Sequence, residues 1–264
     1  MDQIVGFANK QTKADLVCLS HLRWNFVFQR PQHLMSRFAR ERRVFFIEEP
    51  LFEAISQPEA RLNVCQETGV RVVTIHIPED LRGSRDGVIK SLLADFARAH
   101  VIYKPVAWFY TPMALDYFPD TLEPSRIIYD CMDELTGFRG ADPRLHDNEV
   151  KLMQLAHVVF TGGFSLFEAK RTQCPRVYPF PSGVDLAHFA RARAFRADHQ
   201  AEDQASIPRP RLGFAGVIDE RMDLDLVAGV AQLRPDWHLV MIGPVTKIDA
   251  ASLPQAPNLH WLGM

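Results

Sequence analysis

The stretch ADLVCLSHLRWNFVFQRPQHLMSRFARERRVFFIEEP, residues 14–50, decides the fold. It contains two continuous apolar runs, Leu16–Leu19 and Val44–Ile47. Apolar runs bounded by turn signals are typical of strands that are buried on both faces. Between the runs, a proline at a first helical position and arginines farther on predict a helix from about Pro31 to about Arg40. The stretch is therefore a β-loop-α-β unit, the building block of a parallel sheet.

Polar and aromatic side chains gather in the loop after the first predicted strand. Ligands of parallel sheets bind where the strands end at their carboxyl edge, and this loop leaves that edge. The two histidines here equally fit ordinary part-buried positions, and aromatic rings serve packing more often than sugar stacking. The polar groups nevertheless suit a sugar or a phosphate. We therefore expect a substrate site that includes His21, Arg23, Trp24, Gln29, Arg30 and His33.

Composition excludes several classes of function. The 264 residues include 30 basic and 32 acidic ones, so there is no electrostatic case for binding nucleic acid. No apolar stretch approaches the roughly 18 residues that a membrane span needs, and residues 1–15 have no secretory h-region. The four cysteines form no C-x-x-C pair, which indicates reduced, mostly buried thiols of a cytosolic protein and disfavours a metal site.

The alternation of strands and helices continues along the chain. It predicts an α/β domain with a doubly wound parallel sheet over residues 1–189. Residues 190–210 are charged, rich in alanine and end in prolines, as expected of a linker. Residues 211–264 restart the pattern with three strands and one helix, which predicts a partial second Rossmann-like domain. The later predicted strands are Arg71–His76, Val106–Tyr110, Arg126–Tyr129, His157–Phe160, Arg176–Pro181, Arg211–Gly216, His238–Ile242 and Leu259–Leu262.

Three acidic residues follow the predicted strand Arg126–Tyr129, namely Asp130, Asp133 and Glu134. Carboxylates at the ligand edge can bind sugar hydroxyls or act on an acceptor proton. Asp133 and Glu134 equally fit the first turn of a helix, where acidic groups are favoured. Asp130 lies too close to the strand for a cap, so we expect it to be catalytic.

The next predicted strand runs into Thr161-Gly162-Gly163, and a helix begins near Ser165. A strand, a glycine pair and a helix start can form a backbone cradle for an anion or a hydroxyl, which makes Gly162 and Gly163 candidate binding residues. A tight turn before a capped helix explains the pattern equally well. Ser165 and Glu168 have the spacing of a capping box.

The segment PSGVDLAHF, residues 181–189, resembles the P-N-G-V-D-x-x-x-F segment of retaining glycosyltransferases of the GT-B type, family 4, with Ser182 in place of the usual Asn. The motif W-x-F-x-x-Q-R-P-Q-H-L from Trp24 resembles the teichuronic-acid-type branch of that family, as do Tyr129–Glu134 and Gly216–Arg221. These motifs occur in the family's order over nearly the whole chain. A nucleotide-binding domain of another type is disfavoured because no G-x-G-x-x-G follows the first strand.

The resemblance implies two Rossmann-like domains that face a cleft. The first would hold a glycan or lipid-linked acceptor and the second a nucleotide-sugar donor, with UDP favoured. Sugar transfer to a cell-envelope or exopolysaccharide acceptor would proceed with retention and without a metal or other cofactor, because cations neutralise the leaving diphosphate. Gly216 and Arg221 match the family's diphosphate site, Lys247 would replace its missing lysine, and Asp130 would replace a donor-contacting histidine. Arg221 and Lys247 equally fit solvated surface charges.

The largest departure from the family is length. The family's E-x7-E motif, which binds the donor, lies beyond Met264, so we expect the second domain to be truncated. The alternative function is a catalytically incomplete glycan- or partner-binding module. An unfinished sheet exposes a strand edge, which predicts self-association or partial disorder. Cytoplasmic location is expected, and the segment Arg191–Arg196 is too short to decide whether the chain contacts a membrane surface.

Overall fold

The computed structural model describes residues 13–194 and 201–264. The chain divides into two compact units between Gly183 and Val184. The boundaries proposed from the sequence, at residues 189 and 210, stay predictions, and residues 195–200 of the predicted linker lie outside the described residues. So do residues 1–12, in which no secretory signal was expected.

Within residues 13–183, nine strands form one sheet. Seven of these strands correspond to strands that the sequence predicts. Two of them, Leu16–Leu19 and Val44–Ile47, have the expected bounds. The strands are β1 (Leu16–Leu19), β2 (Val44–Ile47), β3 (Leu51–Glu53), β4 (Glu59–Val64), β5 (Arg71–Pro78), β6 (Val106–Phe109), β7 (Arg126–Cys131), β8 (Val158–Thr161) and β9 (Val177–Pro179).

The order of the strands is β3-β5-β2-β1-β6-β7-β8-β9, and all of these neighbours pair in parallel. Only β4, which pairs with β5, is antiparallel among the described strands. The carboxyl ends of β1, β2, β6, β7, β8 and β9 therefore share one edge of the sheet, as predicted for the ligand edge. In register, Leu19 of β1 lies beside Ile47 of β2 and Phe109 of β6.

Helices cover both faces of this sheet. Met35 of the first helix is fully buried against one face, together with Phe46 and Trp108. The other face packs against the next helices through Ile89, Leu93 and Leu152, among others. The helices of the first unit are α1 (Arg30–Phe38), α2 (Arg85–Ala99), α3 (Leu145–Leu155) and α4 (Phe164–Lys170), with 3-10 turns at Glu79–Ser84, Pro112–Tyr117 and Leu135–Gly137.

The structure differs from the sequence-based expectation in two local respects. Residues 51–64 contain β3 and β4, which carry no continuous apolar run because β4 is an edge strand with mostly exposed side chains. The expected capping box of Ser165 and Glu168 does not form, since α4 begins one residue earlier, with Gly163 at the N-cap and no side-chain hydrogen bond there. Ser165 therefore lies inside the first turn.

In the described residues of the second unit, 184–194 and 201–264, three strands form a parallel sheet. They are β10 (Arg211–Ala215), β11 (His238–Ile242) and β12 (Leu259–Gly263), and they lie in that order. Its core packs Ala231 of the long helix against Leu239, Met241 and Leu259 of the sheet. The edge strand β10 is largely exposed, and Leu212 and Phe214 keep 39% and 37% of their surface open to solvent. The elements are α5 (Leu186–Ala190), β10 (Arg211–Ala215), α6 (Leu224–Leu233), β11 (His238–Ile242) and β12 (Leu259–Gly263), with 3-10 turns at Arg191–Ala194, Glu202–Gln204 and Ala250–Ser252.

Candidate functional site

Arg30 and Asp130 form a buried ion pair at the carboxyl edge of the first sheet. The Arg30 Nε lies 3.0 Å from both carboxylate oxygens of Asp130, and its Nη2 lies 2.8 Å from Oδ1. The side chains are 5% and 0% exposed. Such two-point contacts are the strongest geometry that an arginine and a carboxylate adopt. The sequence predicted both residues for the site, but it did not predict that they bind each other.

The surroundings of this pair hold it in place. Arg30 Nη1 donates to the backbone carbonyl of Phe180 at 2.6 Å, and the guanidinium lies 5.7 Å from that ring's centre. Burial raises the pKa of Asp130, while Arg30 and, more weakly, Tyr110 and Trp108 oppose the shift. Arg30 thus joins the start of α1 to the ends of β7 and β9. The catalytic role of Asp130 stays a prediction.

Glu48 contacts two of the predicted site residues, and the sequence analysis did not include it. It follows β2 directly, is 7% exposed, and accepts hydrogen bonds from the Trp24 backbone N–H at 2.7 Å and from Arg23 Nη1 at 3.1 Å. The Thr74 hydroxyl donates to it at 3.1 Å. Two predicted site residues, Arg23 and Trp24, are therefore positioned by one buried carboxylate. The signal that could have found Glu48 is an acidic residue directly after a fully buried strand.

His21 follows β1 and Asp133 follows β7, and the Asp133 carboxylate acts electrostatically on the His21 ring. Burial lowers the pKa of His21 from 6.5, and the Asp133 carboxylate and the Tyr110 backbone partly oppose this shift. A histidine with a lowered pKa is neutral at physiological pH, so its ring can exchange a hydrogen bond or a proton with a hydroxyl. The sequence assigned these two residues to substrate binding on separate grounds, and in the structure they interact electrostatically.

Glu134 belongs to a network of charges beneath the same edge. Lys170 Nζ lies 2.8 Å from Glu134 and 2.7 Å from Glu149, and the Tyr129 hydroxyl donates to Glu149 at 2.8 Å. Lys170 and Glu149 are 5% and 6% exposed. Burial acts to lower the pKa of Lys170, but its two carboxylate partners outweigh burial and raise it. The network therefore fixes the loop that carries Asp133 and Glu134.

The glycine pair after β8 lies against this loop. A Cβ on Gly162 would come within 2.7 Å of the carbonyl oxygen of Met132, so no larger residue fits without a shift. Gly163 has open space around its Cα and is the N-cap of α4. Because α4 has only seven residues, close packing of two loops explains Gly162 better than an anion cradle does. Substrate binding by the pair stays a prediction.

Gln29 and His33 lie at the first turn of α1. The Gln29 backbone N–H donates to the Gln32 side chain at 3.1 Å, which caps the helix. His33 packs against the edge of Phe28 with ring centres 4.6 Å apart, and its carbonyl accepts from Arg37 at 2.8 Å. Both residues are partly exposed, so both stay candidates for substrate contact.

In the second unit, the loops after β10 and β11 run side by side. The Gly216 backbone N–H donates to the Ile242 carbonyl at 2.9 Å, and a Cβ on Gly243, whose φ is +143°, would overlap the Gly216 carbonyl. Ile218 and Val245 then form an isolated parallel bridge. The two loops consequently leave the carboxyl edge of this sheet as one closely packed pair, and Gly216 is exposed on it.

Each of these loops contributes one predicted diphosphate-binding cation. Arg221 Nη2 lies 2.6 Å from Asp219, and Lys247 Nζ lies 3.7 Å from Glu220. Hydrogen bonding by Arg221 lowers the pKa of Asp219, and the charge of Lys247 adds to the effect. Arg221 is 60% and Lys247 49% exposed. Both predicted cations thus lie around one buried carboxylate, Asp219, which the sequence analysis missed.

The backbone of this loop pair has one further special feature. Lys247 has a φ of +60°, in the left-handed region that residues with a side chain rarely adopt. The backbone hydrogen bond from Thr246 to Ile218 at 2.9 Å holds the turn. Beside it, a groove of about 560 Å³ runs along β10 and α6, with Asp219 and Arg221 in its wall.

No group of three or more His, Cys, Asp or Glu side chains in residues 13–194 and 201–264 could hold a metal ion. In the same ranges, no helix has both the length and the apolar character needed to cross a bilayer. Cys18, Cys131 and Cys174 are buried free thiols, as expected, and Cys65 is partly exposed.

No family model matches the sequence, and no curated protein matches it significantly. Solved structures, however, resemble it. HepE of Anabaena in complex with UDP-glucose matches 94% of this chain and 68% of its own, with a TM-score of 0.57 and 10% identity. An α,α-trehalose-phosphate synthase (UDP-forming) of Burkholderia xenovorans in complex with glucose-6-phosphate matches 91% of this chain and 67% of its own, with a TM-score of 0.54 and 11% identity.

A third similar structure is a protein of Listeria monocytogenes named as a UDP-N-acetylglucosamine 2-epimerase, with a TM-score of 0.53 and 11% identity over 94% of this chain and 68% of its own. The chain therefore spans about two thirds of the length of each of these proteins. At such low identity these similarities establish the fold alone. The chain has the α/β GT-B fold, with a first Rossmann-like unit and a partial second one.

Proposed function

We propose that this chain is a large part of a metal-independent retaining glycosyltransferase that takes its sugar from a UDP-linked donor. One observation carries the proposal. Arg221 and Lys247 come from different loops of the second unit, yet both lie beside Asp219, next to the closely packed glycines Gly216 and Gly243. Exposed cations and a bare glycine backbone at the carboxyl ends of parallel strands suit a diphosphate.

The chemistry of the reaction explains why such a site is needed. Transfer breaks the bond between the anomeric carbon and the diphosphate oxygen and forms a bond from that carbon to the acceptor hydroxyl oxygen, and the hydroxyl proton is released. Negative charge grows on the departing diphosphate, and fixed cations stabilise it in the transition state. Arg221 and Lys247 would supply this charge without a metal, after exchanging part of their contact with Asp219 and Glu220 for phosphate oxygens.

The first unit supplies the acceptor side of the proposal. His21 is neutral near pH 7 and interacts electrostatically with the Asp133 carboxylate, so the two residues suit hydroxyl groups better than phosphate. Arg30 and Asp130 bind each other and would shape this edge by positioning the start of α1. The acceptor would be a cell-envelope or exopolysaccharide glycan, free or lipid-linked. The transfer would take place at the cytoplasmic face of the membrane.

The alternative is a glycan- or partner-binding module without transferase activity. It would follow if the second unit, as given, held no nucleotide. One similar structure is named as an epimerase, so the same fold is also found in a protein named for a reaction on the nucleotide-sugar alone. Epimerisation of the donor is therefore a further outcome to test.

Proton NMR of the reaction mixture separates these functions. The chain is incubated with UDP-glucose or UDP-N-acetylglucosamine, a glycan acceptor mixture and EDTA. The proposal predicts UDP release together with a new α-anomeric signal, since the donor is α-linked and retention preserves that configuration. A β-anomeric product would contradict retention, and conversion of UDP-N-acetylglucosamine to its 2-epimer would contradict transfer.

A matched pair of variants tests the assignment of the cations. Arg221→Ala should reduce UDP release at least tenfold, because it removes an interaction with the leaving group. Arg234→Ala is the control, since Arg234 is also an exposed arginine of the second unit that pairs with a nearby aspartate, Asp236, at 2.6 Å. Equal activity of the two variants would refute the proposed diphosphate site.

A further inference from the structure

A second pocket lies away from the Arg30–Asp130 pair. It has a volume of about 400 Å³ and opens between the loop after β1 and the turn that joins β4 to β5. This volume falls in the range of small-molecule sites. The lining residues are Trp24, Asn25, Phe26, Phe28, Cys65, Gln66, Glu67 and Thr68.

Two aromatic rings in this pocket are exposed to solvent. Phe26 is 39% and Phe28 58% exposed, although burial of such rings is normally favourable. The Phe28 ring rests with its edge against the His33 ring at 4.6 Å between centres, so it is held in a defined place. Exposed aromatic rings in a concave site provide the flat apolar surface on which the C–H face of a sugar ring stacks.

The floor of the pocket is closely packed. Trp24 is 6% exposed, packs edge-on against Phe46 with ring centres 5.0 Å apart, and has its backbone N–H bound to the buried Glu48. A site that is already ordered before a ligand arrives loses less conformational entropy on binding. Trp24 thus anchors the loop after β1 to the sheet, while Phe26 and Phe28 of the same loop are exposed to solvent.

The polar groups of the pocket have a distinct character. Amides of Asn25 and Gln66, the Thr68 hydroxyl and the Glu67 carboxylate can hydrogen-bond to hydroxyls. None of the residues that line this pocket is a lysine, an arginine or a histidine. A phosphate or a nucleotide would find no counter-charge in the lining and would be repelled by Glu67. The chemistry therefore favours an uncharged, hydroxyl-rich ligand with an apolar face.

We propose that this pocket, formed by Phe26, Phe28 and the turn Cys65–Thr68, binds an uncharged sugar residue of the acceptor glycan. That this sugar belongs to an acceptor rests on the proposed function. The pocket then selects acceptors of more than one sugar, since one residue binds here and another presents its hydroxyl at the sheet edge. It also separates neutral glycans from sugar phosphates.

Cys65 gives a direct reporter of binding, because it is the partly exposed one of four cysteines. Burial alone would raise the pKa of its thiol, but hydrogen bonds with Thr68 and Trp24 outweigh burial and lower it. Alkylation by iodoacetamide, followed by peptide mass spectrometry, measures its reactivity in the wild-type chain. The probes are maltose, cellobiose, lactose and trehalose, with trehalose 6-phosphate as the charged counterpart of trehalose.

The proposal predicts that at least one neutral disaccharide slows alkylation of Cys65, by about tenfold at ten times its dissociation constant. Phe28→Ala should abolish the protection. Phe164→Ala, which removes another ring that is 64% exposed, should keep it. The proposal is overturned if no neutral probe protects Cys65, if trehalose 6-phosphate protects as well as trehalose, or if protection survives in Phe28→Ala.

This test does not depend on the nucleotide. Protection of Cys65 by a neutral disaccharide without any UDP binding would leave the pocket intact as a glycan site and would contradict the transferase. UDP binding without protection would contradict the pocket and leave the transferase standing.

Discussion

Arg30 and Asp130 lie 100 residues apart in the sequence and form a two-point, almost fully buried ion pair with Nε–O distances of 3.0 Å. The pair ties the first helix to the end of the strand that carries the predicted acidic cluster. The geometry of the candidate acceptor edge therefore depends on a contact that no local sequence pattern contains.

Removing one partner of this pair should lower the free energy of unfolding. Asp130→Ala leaves the Arg30 guanidinium buried without its carboxylate, and such losses typically cost about 3–5 kcal/mol of unfolding free energy. Arg30→Met should cost a similar amount, and the double variant should cost much less than the sum. Urea denaturation followed by circular dichroism measures all four stabilities.

The control for that cycle is an exposed pair. Arg98 and Asp95 form a surface ion pair at 2.8 Å, one turn apart on α2. Asp95→Ala should change the unfolding free energy by less than about 1 kcal/mol, because solvent screens the pair. Additive losses in the Arg30/Asp130 cycle would show that the two residues do not stabilise each other.

The stability of the first unit should be equally sensitive to the loss of Lys170, because this residue pairs with two carboxylates. Lys170→Met leaves Glu149 buried and unpaired, with an expected loss of about 3–5 kcal/mol near pH 7. Adding Glu149→Gln should restore part of the stability, because it removes the unpaired buried charge. Urea denaturation of both variants measures the difference. Equal stabilities of Lys170→Met and the double variant would contradict this account.

His21 should make the first unit sensitive to mild acid. Its pKa in the folded chain lies below the value of 6.5 that it approaches on unfolding, so the unfolded chain takes up a proton first. The contribution to stability is present above pH 6.5 and is lost as the pH falls through the folded pKa. His21→Gln should flatten this part of the stability profile. His146→Gln, at a side chain that is 75% exposed, should leave it unchanged.

Glycine substitutions test how closely the loops pack. Gly162→Ala places a methyl group 2.7 Å from the Met132 carbonyl oxygen and should cost about 1–3 kcal/mol. Gly87→Ala, inside α2 with open space around it, should instead add about 0.5–1 kcal/mol through helix propensity. Thermal unfolding of both variants measures the difference. Equal melting temperatures of the two variants would show that the loops at Gly162 and Met132 move apart without a loss of stability, which would contradict close packing.

Much of the fold follows from local sequence patterns, and the reasons are visible in particular residues. Leu16–Leu19 and Val44–Ile47 are recognisable because strands buried on both faces are apolar throughout. Glu59–Val64 escaped notice because an edge strand needs no apolar face. The carboxyl edge and its polar residues could be predicted because every strand of a parallel sheet ends there.

The contacts within the site could not be predicted in this way. Glu48 and Lys170 are charged residues that form hydrogen bonds or ion pairs with residues far away in the sequence. Local periodicity carries no information about such partners. The same holds for Asp219, which orders Arg221 through a contact two residues away and approaches Lys247 only through tertiary structure. Pairing across the fold decides which polar residues remain available to a ligand.

Calorimetric titration of UDP into this chain, in buffer with EDTA, tests the central claim most directly. The account predicts saturable binding that needs no metal, is weakened at least tenfold in Arg221→Ala, and is unchanged in the control Arg234→Ala. Absence of binding up to millimolar UDP, or equal binding by the two variants, would contradict a diphosphate site at Gly216, Arg221 and Lys247.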